Sequence, residues 1–147
     1  MGRAAALGLV PAGRDVLRPR HPRGDRGPFG VRGSFPALHD ESHGESFLDL
    51  ALGRFGGRGL YLLDEPESAL SLTGQLTLLR LMYESVGRGS QFVLATHSPV
   101  LMAYPGAVAV ELDGDGLTVR PYDDLAPVQL WRRFLADPRS LLDELLA

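Results

Sequence analysis

Leu60-Tyr61-Leu62-Leu63-Asp64-Glu65-Pro66-Glu67 and, about thirty residues later, Gln91-Phe92-Val93-Leu94-Ala95-Thr96-His97-Ser98-Pro99 decide the reading of this chain. Each is an apolar run of strand length that ends abruptly in polar groups. A strand built of Leu and Tyr belongs in a covered sheet. The carboxyl ends of such strands are where open α/β sheets bind ligands. Between the runs, Leu72, Leu76, Leu79, Met82 and Val86 recur at helical spacing and predict a helix over residues 72–86. Gly87 and Gly89 end it. Strand, helix and strand in this order imply a right-handed parallel crossover.

Working outward toward the C-terminus, residues 107–112 alternate weakly and read as a strand. Asp113-Gly114-Asp115-Gly116 is a turn signal, and residues 117–120 form the other arm of a hairpin. The Asp113–Asp115 pair fits that turn better than a calcium loop. Residues 127–136 and 138–146 read as two short helices with proline in each first turn, and Asp137 caps the second. Trp131-Arg132-Arg133-Phe134 reads as one face of an amphipathic helix closing the core rather than a stacking platform. Toward the N-terminus, Gly53–Gly59 is a glycine-rich turn. Ahead of it, Ser42-His43-Gly44-Glu45 has the serine-to-glutamate spacing of a capping box, so a helix through Phe47, Leu48, Leu50, Ala51 and Leu52 starts there.

Residues 1–35 are a different kind of sequence. Residues 1–33 hold seven arginines and two aspartates, whereas the remainder holds eight arginines against sixteen acids. Proline and glycine are too frequent for a helix, and no strand is expected either. The short apolar run from Ala4 to Val10 follows Arg3 like a faint signal peptide, but Pro11 and Gly13 interrupt it and no clear cleavage site follows. The expected organisation is a disordered Arg/Gly/Pro-rich segment over 1–35 and a folded domain over 36–147. A basic arm for nucleic acid is the alternative use of the first segment. The chain has no cysteine, which excludes disulfides and thiolate metal sites and suits the cytoplasm. No stretch approaches a membrane span.

The strand tips carry the chemistry. Asp64 suits Mg²⁺, held through water, and its neighbour Glu65 suits the polarising of an attacking water. Metal charge lowers the pKa of one carboxylate and leaves the other as a base, so the pair can divide the work. His97 can donate to a phosphate oxygen. The amides and hydroxyl of Ser42, with Gly44 allowing close approach, form an anion site at a helix start. Each has a plain alternative: solvated acids at a strand end, a loop histidine bonded to a carbonyl, an ordinary helix cap.

Together these three motifs, from Asp40 to Leu48, Gly59 to Ser71 and Ala95 to Pro99, resemble the C-terminal part of an ABC-type ATPase. More narrowly, they resemble the stand-alone bacterial ATPases grouped as an AAA family, akin to recombination and repair ATPases. The resemblance runs from about Leu38 to the C-terminus. It implies an α/β fold, a partial P-loop NTPase with a parallel sheet, flanking helices and the C-terminal hairpin and helices. It implies ATP and Mg²⁺ as cofactors, and a homodimer or a dimer with a full-length ATPase. Ser42, Gly44 and Glu45 would belong to the signature motif, which contacts the γ-phosphate held by the opposite subunit. Asp64 and Glu65 would be the Walker B pair, Ser68–Ser71 the D-loop, and His97 the switch histidine. His43 stands where transporter-type ATPases carry glycine, and Ser71 where the D-loop usually carries aspartate.

Such enzymes cradle phosphates with G-x-x-x-x-G-K-S/T. This chain contains no lysine at all. Gly24-Asp25-Arg26-Gly27-Pro28-Phe29-Gly30 is glycine-rich, but arginine does not replace lysine there and Pro28 removes an amide. The expectation is therefore a truncated or mis-started ATPase, inactive alone. The alternative is a non-catalytic module that docks on a full-length ATPase and lends it the signature motif.

Overall fold

The computed structural model describes residues 5–10, 48, 49, 51, 53–55, 58–113 and 116–147. Five strands form one sheet in the order β2-β3-β1-β4-β5, where β1 is Ala5–Val10, β2 Leu60–Asp64, β3 Gln91–Thr96, β4 Val108–Asp113 and β5 Gly116–Val119. The helices are α1 (Leu72–Gly87), α2 (Pro99–Met102), α3 (Ala126–Ala136) and α4 (Pro138–Leu146). Leu48, Asp49, Ala51, Gly53 and Arg54 are helical as well.

The β2–α1–β3 unit is as the sequence implies, with β2 and β3 parallel and Asp64 level with Ala95. The rest of the sheet corrects the expectation of a parallel one. β1 is antiparallel to both β3 and β4, and β4 is antiparallel to β5. The sheet is mixed because β1 runs antiparallel to β3 and the C-terminal hairpin joins it through β1. β1 is itself a correction, since no strand was expected before residue 36. Its six residues, Ala-Ala-Leu-Gly-Leu-Val, are small or apolar without alternation, which suits a strand with neighbours on both sides. Pro11 follows it and cannot donate to the ladder.

α1 begins where Ser71 caps it, its Oγ accepting the Gly74 amide at 3.1 Å. It ends at Gly87 with Arg88 as its cap, and the chain turns away at Gly89, whose φ of 96° a side chain would resist. Its buried stripe is Gly74, Leu78, Met82, Ser85 and Val86. That is rotated from the expected one, because Leu72 and Leu76 face solvent. Ser85 Oγ donates to the Phe55 carbonyl at 2.8 Å and Arg88 Nη2 donates to the same oxygen at 2.9 Å. These bonds tie the segment before β2 to the end of α1. Beneath them Phe55, Tyr61 and Phe92 form a ring cluster with centroids 4.7–5.0 Å apart. Each such ring pair adds about 0.5–1.5 kcal/mol to the burial itself.

Side chains alternate across a sheet, and the two faces differ. Phe92, Leu94, Thr96, Ala109 and Glu111 point into the helical side and are buried. Leu60, Leu62, Leu112, Leu117 and Val119 lie on the other face and are exposed. Glu111 is the unexpected member of the buried side. Its carboxylate pairs with Arg120 and accepts the Ala126 amide at 3.1 Å, at the start of α3.

α3 packs through Leu125 and Val128 on Met102 and Ala109. Trp131 does not close the core as the sequence suggested. It is 51% exposed and meets Phe134 edge-on, beside an open apolar pocket of about 600 Å³ shared with Leu141 and Leu145. Asp137 caps α4 as expected, accepting the Ser140 amide at 3.1 Å. Among the described residues, no helix is long and apolar enough to cross a membrane.

Candidate functional site

Asp64 ends β2 and Glu65 leaves it. Glu65 still donates its amide to Ala95 of β3 at 2.8 Å, so the two strands stay zipped to this point. Its backbone then turns into the left-handed region, with φ 41° and ψ 50°. Among the described residues no other non-glycine residue has a positive φ. Such a conformation costs about 1–2 kcal/mol for an L-residue, and it sits directly before Pro66, which starts a short 3₁₀ turn over Pro66–Ala69. Strain of this kind gathers where a side chain must be aimed.

The result is a meeting of the two strand tips. His97 Nε2 lies 3.5 Å from Glu65 Oε1, an ion pair when the imidazole is protonated, and both side chains are partly open to solvent. The loop that carries His97 is pinned from below. Glu67 Oε1 accepts the His97 amide at 2.6 Å. Ser98 Oγ donates to Gln75 Oε1 at 2.6 Å and accepts the amides of Val100 and Leu101. Gln75 Nε2 in turn donates to the Leu70 carbonyl at 3.2 Å. The turn after β2, the start of α1 and the turn after β3 are thus one hydrogen-bonded unit.

Of the residues singled out in the sequence, Glu65 and His97 are brought together, and Asp64 is the last residue of β2, level with Ala95 and on the same face as Leu60 and Leu62. Ser71 is placed as the cap of α1. Ser42, His43, Gly44 and Glu45 lie outside the described residues. Glu67 and Gln75, which hold the His97 loop, were not singled out. Glu67 had a signal of a kind, as a second acid two residues beyond Glu65; Gln75 had none. Ser98-Pro99 carried a readable one, a serine cap followed by proline at the first helical position.

The donor chemistry of the site is oxygen and imidazole only. Among the described residues no group of three His, Asp or Glu side chains could hold a metal ion by itself. Mg²⁺ is commonly held by one or two carboxylates with water and substrate phosphates completing its shell, so Asp64 and Glu65 fit that ion. A triphosphate does not fit the chain in the same way. β1 lies next to β3, but Ala6 is level with Thr96 and Val10 with Phe92. Its carboxyl end therefore points away from Glu65 and His97, and no lysine exists to neutralise phosphate charge.

Residues 33–103 match the family model described as "AAA domain, putative AbiEii toxin, Type IV TA system". That match covers just under half of the chain, and with the relatives below it supports reading this region as part of an AAA/ABC-type ATPase domain. It is 49% identical over 43 residues to the cytochrome c biogenesis ATP-binding export protein CcmA of Rhodopseudomonas palustris strain HaA2, which covers 29% of this chain and 22% of that protein. It is 46% identical over 46 residues to the CcmA protein of strain BisB5, covering 31% and 23%. The chain thus spans less than a quarter of the length of these relatives. No solved structure matches it.

Proposed function

We propose that this ATPase segment is the acid-and-histidine half of a P-loop nucleotide site, and that the chain does not hydrolyse ATP alone. The reading rests above all on the 3.5 Å approach of His97 to Glu65 at neighbouring parallel strand tips. In it Asp64 orients Mg²⁺, which when bound supplies charge neutralisation for phosphate oxygens. Glu65 takes a proton from, or positions, water at its carboxylate. His97 Nε2–H is held toward Glu65 and is available to a phosphate oxygen that arrives beside it. Glu67 and Gln75 fix the backbone from which that proton is presented. Ser71 and the Ser42–Glu45 stretch belong to the surface that faces a second ATPase. A site of this kind works chiefly through preplaced charge, and the missing lysine removes a principal part of it.

The purified chain is expected to show no ATP turnover above background, and Glu65→Gln to change nothing. Turnover that Glu65→Gln abolishes would overturn the reading. The absence of lysine from this sequence favours a companion reading, in which the chain docks on a full-length ATPase and supplies the Ser42–Glu45 stretch in trans. ATP-dependent capture of such an ATPase supports it; association indifferent to ATP counts against it.

A further inference from the structure

We infer that Tyr122 is a positioning residue of the candidate phosphate site, anchoring the turn that presents His97 from the C-terminal side of the chain. The inference rests on the reading of Glu65 and His97 proposed above, and it adds a residue from outside the three motifs. Tyr122 Oη donates to the Pro99 carbonyl at 3.1 Å. Pro99 opens α2, two residues after His97. α2 is a single turn, and a helix so short is not held by its own bonds. Where it sits, and so where His97 is presented, depends on what grips it from outside.

Two elements do so. From α1, Gln75 Oε1 accepts the Ser98 hydroxyl at 2.6 Å. Ser98 Oγ already accepts the amides of Val100 and Leu101, so its proton is what remains to be given. From the C-terminal segment, Tyr122 takes the next residue along, and Met102 at the end of α2 packs with Leu125 and Val128. Tyr122 is itself braced. It opens a 3₁₀ turn over Tyr122–Asp124. Arg132 of α3 pairs with Asp123, and its guanidinium carbon lies 6.0 Å from the centre of the Tyr122 ring, within reach of a cation–π contact. Gln129 Nε2 donates to the Asp123 carbonyl as well. The phenol is thus a fixed donor on a turn stapled to α3. Its bond restrains the main chain just past His97, as the Glu67 carboxylate restrains it at the His97 amide. α3, which holds no residue of the three motifs, becomes part of the scaffold that aims the imidazole.

The test is amide hydrogen exchange, followed by NMR on the purified full chain without nucleotide. Tyr122→Phe keeps the ring and removes the anchor. Two amides report on the turn: that of His97, bonded to Glu67, and that of Met102, bonded to the Ser98 carbonyl at 3.0 Å. Both are expected to exchange about tenfold faster in the variant. The His97 ring resonances, assigned by their loss in His97→Gln, are expected to shift with them. The Gln91 amide, bonded to Gly59 at 2.8 Å at the far end of β3, serves as the control. Its rate should stay within about twofold. Arg132→Gln, which loosens the brace and leaves the phenol, should speed the same two amides by a smaller factor. Unchanged exchange at His97 overturns the inference, even where Met102 responds, because the phenol would then only tie down a helix. An equal rise at Gln91 overturns it too, since that reports a loss of global stability. The outcome is separate from the proposed function. ATP turnover that Glu65→Gln abolishes would sink that reading and leave the anchor standing, whereas a His97 turn indifferent to Tyr122→Phe would sink the anchor alone.

Discussion

Leu62 and Leu63 are neighbours on one strand, yet Leu62 faces open solvent and Leu63 packs against the main core. The same contrast runs across the whole sheet. On one side Phe92, Leu94 and Tyr61 meet α1, Phe55 and Leu48; on the other an equally apolar row meets no described residue that buries it. Composition does not separate the two faces. What separates them, among the described residues, is whether a helix lies above each. Hydrophobicity in a strand therefore states a demand for cover, while satisfaction of that demand depends on segments elsewhere.

Substitutions can break that contrast or make it sharper. The largest effect is expected from Phe92→Ala, which empties the centre of the ring cluster and should lower stability by about 3–5 kcal/mol in denaturant unfolding. A loss below about 1 kcal/mol would mean the helical side is not the true core. Next is Glu111→Ala. It removes one partner of the half-exposed Arg120 and frees the Ala126 amide, so a loss of about 1–3 kcal/mol is expected, with Glu111→Gln losing less. Tyr104 tests the same side through pH. Burial first, and the nearby Tyr83 second, push its phenol up to about 12 from 10.0. The folded state thus holds the proton more tightly than the unfolded one. The stability this contributes is complete below pH 10 and is lost as pH rises toward 12, by on the order of 2 kcal/mol. Tyr104→Phe should remove that slope and, since the hydroxyl is buried without a hydrogen-bond partner, should not destabilise at neutral pH. Glu67→Ala releases the His97 amide and is expected to lower stability by about 1–2 kcal/mol, with the His97 ring resonances broadened or shifted in NMR. The smallest effect belongs to the open face. Leu62→Thr in dilute protein should change unfolding by less than about 0.5 kcal/mol. A loss as large as that of Phe92→Ala would show that both faces are buried in the monomer.

The β2–α1–β3 unit and the last two helices were legible because their signals are local: period, caps, prolines and glycines within one turn of where they act. The meeting of Glu65 and His97 was legible for a related reason, since parallel strands joined by one helix must end at the same edge. β1 was not. Ala5–Val10 is six residues without alternation beside an Arg/Gly/Pro-rich stretch, and its pairing with Thr96 and Leu112 depends on partners roughly 90 and 107 residues away. The rotation of the α1 stripe was illegible because leucines surround that helix, so only tertiary contact selects Leu78 over Leu76. Gln75 and Glu67 act through single hydrogen bonds to a distant loop, which no periodicity records.

The direction of β1 decides how this scaffold could be rebuilt. A designer wishing to graft a lysine-bearing anion loop beside Glu65 and His97 would splice it ahead of Ala5, where the strand starts level with Thr96. The same insert placed after Val10 would open roughly a strand's length away, about 17 Å, on the far rim of the sheet.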